Sequence, residues 1–229
     1  MLADRSGLRF EDLIAVDGEH FSVAAACQPL VAARSGEAAG WRFAPRVTGE
    51  DGPLALSTLD WRDAQQADLV VIGQAAETLA DPATGPGPGV IVVSFSTLSS
   101  GSGRRALSER LGEASSACGR PLAIEMRELD GVPPARLAEV VSLIRPACAG
   151  VIAEVGPHRA EIAAIGHCGL AGVMIRTQGD WSGDPAQLAR FEALTALARG
   201  SVARCFGRAP RDDIPILAAA GFTHVAVTA

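Results

Sequence analysis

The sequence predicts an α/β fold made of βα units around a parallel sheet, and three observations carry the prediction. Short apolar runs recur along the second half of the chain. Segments of about 10–15 residues with helical periodicity separate them, and proline or glycine marks many of the boundaries. The runs are Val90–Phe95, Leu122–Met126, Gly150–Val155, Gly172–Ile175, Val202–Phe206 and His224–Val227. Strands repeating in this way fit an α/β barrel or a doubly wound sheet.

In chain order, Phe21–Val31 and Ala38–Val47 read as strands joined through the short turn Ala33–Glu37. A connection this tight makes the pair antiparallel. Asp68–Ala80 begins with the apolar run Leu69–Ile72, which alone would suit a strand. Ala75, Ala76 and Leu79 continue it at helical spacing, so the segment reads as a helix. Asp81–Gly89, with alternating proline and glycine, is a loop. Leu137, Val140, Val141 and Ile144 mark a helix that Pro133-Pro134 opens and Pro146 stops. Asp184-Pro185 reads as the cap and first turn of a helix through Ala198, with Leu188, Phe191, Leu194 and Leu197 on one face and Gly200 beyond its end. No repeat or low-complexity tract interrupts the chain, so residues 1–229 read as one domain.

Composition narrows the function. The chain carries 26 acidic and 20 basic residues, a net charge of −6 that argues against a nucleic-acid binder. No apolar run reaches the ~20 residues of a membrane span. Met1–Phe10 has too little apolar length for a signal peptide, and the chain reads as cytoplasmic. All the basic residues are arginine, which excludes a Walker A loop, a Schiff-base enzyme and the Ser-x-x-Lys hydrolases. Cys27, Cys118, Cys148, Cys168 and Cys205 are scattered singly, without the close pair a zinc site brings, and read as buried thiols. Ser99–Arg105 precedes a helix but lacks dinucleotide-binding spacing, and Gly85-x-Gly87-x-Gly89 precedes a strand instead of following one. Both read as flexible loops.

Several segments are familiar together. Cys27-Gln28-Pro29-Leu30-Val31, the turn glycine Gly36, and Gly40-Trp41-Arg42-Phe43-Ala44-Pro45-Arg46 stand in the order of the opening of the EAL domain family. Val93-Ser94-Phe95-Ser96, Leu122–Glu128, Val202–Phe206 and Ala220–Val225 follow in the positions of later family motifs. The resemblance covers nearly the whole chain. It implies a modified TIM-type barrel with one antiparallel strand, and, for the family, hydrolysis of cyclic di-GMP by two divalent metals held on oxygen ligands.

Position by position, the resemblance also implies loss of that chemistry. The signature glutamate falls on Arg42, the asparagine ligand on Ser94, and the paired aspartates on Ala153 and Glu154. The lysine segment falls on Met174-Ile175-Arg176, a further glutamate on Arg204, and the late glutamine on Ala226. Glu125 and Glu128 match, with Glu154 as a third carboxylate. Guanidinium groups beside a metal site oppose cation binding, so no metal or other cofactor is expected. Gln28 and Arg46 match positions that touch the dinucleotide.

Strand ends in such a barrel would collect Arg42, Arg46, Arg127, Arg176 and Arg204 with Glu128 and Glu154. Two readings stand open: an anion-binding mouth, or an internal salt-bridge network filling a retired site. Gln28 is equally open, as a nucleotide contact or as part of a strand edge shaped by Pro29. His158 reads as an exposed loop residue and His224 as a satisfied barrel-end residue. With Cys205 they are the alternative acid–base or nucleophilic groups. The expected function is a catalytically inactive signalling domain that binds another protein. The alternatives are metal-independent binding of cyclic di-GMP, and an enzyme with a relocated site using Glu128, Glu154 and His158.

A last expectation concerns the end of the chain. Only Thr228 and Ala229 follow the final strand, so the closing helix is expected to be missing. The groove beside that strand would then be covered by Leu8–Val16 or by self-association.

Overall fold

The computed structural model describes residues 8–177 and 184–228. Residues 1–7 of the Met1–Phe10 segment, read above as too short in apolar length for a signal peptide, lie outside the described residues. The strands are β1 (Glu11–Ile14), β2 (His20–Ala32), β3 (Ala38–Gly49), β4 (Gly52–Leu54), β5 (Gly89–Ser94), β6 (Leu122–Arg127), β7 (Val151–Val155), β8 (Gly172–Ile175), β9 (Arg204–Pro210) and β10 (His224–Thr228). The helices are α1 (Trp61–Ala80), α2 (Phe95–Ser99), α3 (Gly101–Cys118), α4 (Pro134–Ile144), α5 (Arg159–Ile165), α6 (Pro185–Arg199) and α7 (Ile214–Ala219). Among the described residues no helix is long and apolar enough to cross a membrane.

Strand pairing closes a barrel. From β3 through β5, β6, β7, β8 and β9 to β10, neighbours run parallel, and β2 joins the two ends by pairing antiparallel with both β10 and β3. This is the TIM-type barrel with one antiparallel strand, and the doubly wound alternative is excluded by the closure. β2 and β3 are long enough to project beyond the barrel wall. Their extension carries β1 on the free edge of β2 and β4 on the free edge of β3.

Alternation along each strand sorts the side chains into two apolar layers. Leu30, Val90, Ile152, Met174, Phe206 and Ala226 fill the barrel near the amino ends of its parallel strands. Outward residues such as Phe43, Ile91, Ile124, Val173 and Val225 pack under the helices, against Ile72, Leu79, Leu107, Leu111, Leu137 and Phe222. Helix starts follow local chemistry. Asp60 accepts a hydrogen bond from Arg62 N–H, and Asp184 accepts one from Ala186 N–H ahead of Pro185 at the first turn.

Three expectations need correction. Ser99–Arg105 is largely helical, because Ser100 Oγ accepts from Gly103 N–H at 2.9 Å and caps α3 directly after α2. Gly103 permits this tight junction, since a Cβ there would lie 2.3 Å from the Thr97 carbonyl oxygen. Second, β9 runs Arg204–Pro210 instead of Val202–Phe206. The apolar run stops at Gly207, but pairing with β10 continues to Pro210, and Gly207 admits Leu217 and Phe222 close to the strand. Third, the segment Leu8–Val16 does not lie on β10. Its residues 11–14 add to β2, and Val225 on β10 is already fully buried.

Gly103→Ala tests the α2–α3 junction. Forcing the methyl group against the Thr97 carbonyl should destabilise the protein by ~1–3 kcal/mol in urea unfolding. Wild-type stability in the variant would show that the junction has room.

Candidate functional site

Several inward side chains above the apolar floor are polar, and strand register brings them together. Arg42 on β3 lies opposite Gln28 on β2, and the next strands contribute Glu125, Glu154 and Arg208. Arg42 Nε donates to Glu125 Oε2 at 2.8 Å and Nη2 to Oε1 at 2.6 Å, a two-pronged pair across the barrel interior. Its Nη1 donates to Gln28 Oε1 at 2.7 Å. Arg42 is 2% exposed and Glu125 fully buried. Burial works against the Arg42 charge, but Glu125 and then Glu154 outweigh it, so the guanidinium is held more firmly protonated than usual.

Glu154 forms the second pair, accepting from Arg208 Nη2 at 2.8 Å. Burial, followed by the neighbouring Glu125, pushes the Glu154 carboxyl above its ordinary range, while Arg208, Arg42 and Arg176 oppose the shift. The four interior charges thus cancel in sign.

A second cluster stands at the carboxyl ends of β5 and β6. Asp68 on α1 is fully buried, and its Oδ2 accepts from Ser94 N–H at 2.9 Å and Thr97 Oγ1 at 2.7 Å. Arg127 Nη2 approaches Asp68 Oδ1 at 3.7 Å, beyond hydrogen-bond reach. Arg127 Nη1 instead pairs with Glu128 Oε1, and Ser94 Oγ donates to Glu128 Oε2 at 2.6 Å. Glu128 takes φ +64°, a left-handed backbone rare outside glycine, and these two partners hold its carboxylate there. Asp68 Oδ1 and Arg127 Nε and Nη2 are buried with no hydrogen-bond partner. Burial pushes the Asp68 carboxyl up to about 6, against the opposing pull of Arg127 and its two hydrogen-bond donors.

The remaining sequence candidates disperse. Arg46 shares the inward parity of Arg42 but lies farther up β3, exposed, with no ion-pair partner among the described residues. Arg176 pairs with Asp130 at 2.8 Å at the rim. Arg204 is a correction: it is the exposed first residue of β9, at the opposite end of the barrel from the mouth. The residue of that strand that enters the site is Arg208, four positions later. His224, stacked on Phe206 and bonded through Nδ1 to Thr223 Oγ1, also belongs to that far end. His158 is exposed just before α5, and Cys205 is buried with its thiol pushed up to about 11, so neither joins an acid–base set.

Sequence reasoning missed Asp68, Asp130 and Arg208. Asp68 had a signal, being a carboxylate on the same helical face as Ala64, Val71, Ile72 and Ala75. Arg208 follows Phe206 in strand alternation, a signal hidden by ending the strand too early.

The donor set does not fit a two-metal centre. Both Glu125 oxygens are taken by Arg42, Glu154 by Arg208, and Glu128 by Arg127 and Ser94. Among the described residues no group of three or more histidine, cysteine, aspartate or glutamate side chains is arranged to hold a metal ion. A divalent cation would have to displace Arg42 and Arg127, whose guanidinium groups are themselves buried, as well as Arg208.

Two stability outcomes follow. Glu125→Gln leaves the buried Arg42 charge uncompensated and should cost ~3–5 kcal/mol in chemical unfolding, much of it recovered by adding Arg42→Met. A loss below that of an ordinary surface change would show that the pair is not closed in solution. Asp68 has a folded value above its unfolded one, so its stabilising contribution is present at low pH and lost as pH rises through about 6. Asp68→Asn should therefore gain ~2–3 kcal/mol relative to wild type between about pH 4 and about pH 7. A pH-independent difference would show that Asp68 does not titrate in that window.

No family model matches the sequence, and no curated protein matches it. Solved structures do match. The EAL enzyme Bd1971, bound to cAMP and cyclic di-GMP, has a TM-score of 0.63 at 12% identity over 90% of this chain, which spans 60% of that protein's length. The EAL domain of FimX from Xanthomonas citri, in complex with c-di-GMP, gives 0.66 at 12% identity over 90% of this chain and 85% of that one. The MucR phosphodiesterase in complex with c-di-GMP gives 0.62 at 14% identity over 90% and 93%. With the closed barrel, its single antiparallel strand and these matches, the chain has the fold of EAL domains.

Proposed function

We propose that this protein is a regulatory barrel of the cytoplasm that acts by binding another signalling protein and does not hydrolyse cyclic di-GMP. The observation that supports this most is the buried Arg42–Glu125 pair, which takes up both oxygens of a carboxylate the family resemblance assigns to metal binding. The salt-bridge reading of the mouth gains from it over the anion-binding one, because Arg42, Arg127, Arg176 and Arg208 each face a carboxylate of this same chain.

Metal-independent binding of cyclic di-GMP is the second reading, and Arg46 favours it. This guanidinium is exposed on the mouth side of β3 and faces no carboxylate of the described residues. Gln28 weighs on the other side, since its carboxamide oxygen is engaged by Arg42. The relocated-enzyme reading has no such support, with Glu128 and Glu154 paired to arginines and His158 out in solvent.

The purified protein should give no linear product from cyclic di-GMP with Mg²⁺ or Mn²⁺. Turnover that Glu128→Ala abolishes would overturn the proposal. Calorimetry with the dinucleotide, with and without metal, separates the two binding readings. If it binds, Arg46→Ala should weaken binding by ~1–3 kcal/mol, as expected for a charge-assisted contact.

A further inference from the structure

Exposed large apolar side chains are concentrated in one region of this protein. Among the described residues they are Phe10, Ile14, Val16, Leu54, Trp61 and Leu143, and only Leu143 lies outside the sector built by β1, β4 and the start of α1. In that sector the projecting hairpin β2–β3, flanked by β1 and β4, stands against the first turn of α1. Between them runs a groove of about 790 Å³ whose lining includes Val16, Phe21, Leu54 and Leu59. Patches of this kind on a protein surface usually mark interaction sites.

The polar lining is of one sign. Among the described residues, Asp17, Glu19, Glu50, Asp51, Asp60 and Asp63 all line the groove, with His20 and no arginine. Asp63 shows how closely these charges stand. Burial pushes its carboxyl up, Asp60 and Asp17 add to the shift, and only the Val16 N–H, donating at 3.1 Å, opposes it. The groove therefore combines apolar side chains with carboxylates in one lining.

That sign decides between occupants. A second copy docking by twofold symmetry would place one acidic lining against another, a like-charge juxtaposition that opposes the pairing. A basic segment with apolar side chains meets both features at once. Its apolar residues cover Val16 and Leu54, and its cations face the rim. We infer that the groove between the β1–β4 flank and the start of α1 is the docking site for a basic, amphipathic polypeptide segment of another protein. The inference rests on the protein-binding reading above and places it on a surface separate from the barrel mouth.

The test uses the whole chain and a fluorescein-labelled amphipathic leucine–arginine peptide, with its leucine–glutamate counterpart as control, followed by anisotropy. The arginine peptide should bind and the glutamate peptide should not, and the affinity should fall as salt rises. The double change Glu50→Gln with Asp51→Asn should weaken binding about tenfold through loss of rim charge. Leu54→Ser should weaken it by a comparable factor while Leu143→Ser leaves it unchanged; all four positions are exposed, and matched thermal unfolding confirms that the variants fold. No binding of the arginine peptide, equal binding of both peptides, or binding indifferent to the Glu50, Asp51 and Leu54 changes overturns the inference. So does a concentration-dependent dimer in light scattering that Leu54→Ser abolishes. Product assays on the same preparation keep the two claims apart. Hydrolysis with intact peptide binding sinks the regulatory reading and leaves the groove, whereas neither hydrolysis nor peptide binding sinks the groove alone.

Discussion

Arg42 and Glu125 meet inside a closed barrel, and the geometry of that enclosure governs the rest of the site. Each barrel strand directs alternate side chains into one narrow volume, so a charge from any strand is felt by all the others. One buried guanidinium with nothing opposite would be untenable. With Glu125 at two-pronged distance and Gln28 on its third nitrogen, Arg42 is satisfied, and the pair spans the interior from β3 to β6. Glu125 next to Glu154 would be equally untenable, and Arg208 resolves it from β9. The carboxylates and arginines are thus mutually dependent, and removing either member of the Arg42–Glu125 pair leaves a charge with no solvent to receive it.

The same accounting fails by a small margin at the Asp68–Arg127 cluster. Asp68 gains two hydrogen bonds from the start of α2, yet its other oxygen faces Arg127 at a distance too long to bond. Arg127 is drawn instead to Glu128, whose own backbone is in a left-handed conformation. A buried carboxyl with only half of its demand met is easier to protonate, which is the physical source of its raised titration. The cluster also ties α1 to the end of β5, since Asp68 is a helix residue that binds the backbone where the strand becomes helix.

Outside the barrel a different constraint applies. The extension of β2 and β3 beyond the wall creates two sheet edges that the barrel itself lacks, and β1 and β4 occupy them as short strands. These strands are too brief to bury their own apolar residues, and so Ile14 and Leu54, with Val16 just after β1, remain in contact with water near the carboxylates that line the groove. The four charges Arg42, Glu125, Glu154 and Arg208 cancel inside the barrel, whereas the charged lining of the groove on this flank is acidic among the described residues.

How much of this was legible in the linear chain depends on the distance over which each feature is decided. Periodicity is local, so the runs at Val90, Leu122, Gly150 and Gly172, the tight turn after Ala33 and the Asp184-Pro185 helix start were readable without any neighbour in space. Ser100 and Gly103 were misjudged because serine and glycine suit a loop equally well until Thr97 is seen pressed against Gly103. The end of β9 was misjudged for a similar reason: Gly207 to Pro210 has no strand propensity of its own and is held by its bonds to β10. Motif order pointed to Arg42, Glu125 and Glu128, but their partners lie up to 83 residues apart in sequence. By itself, then, the sequence determined the alternation of strands and helices, the antiparallel hairpin and the excess of arginine where acids were expected. Only the tertiary structure decided that Arg42 closes on Glu125, that Arg208 and not Arg204 enters the mouth, and that Asp68 lies buried beside Arg127. Pairing across a barrel is set by strand register and closure, and neither quantity is encoded in any short stretch of the chain.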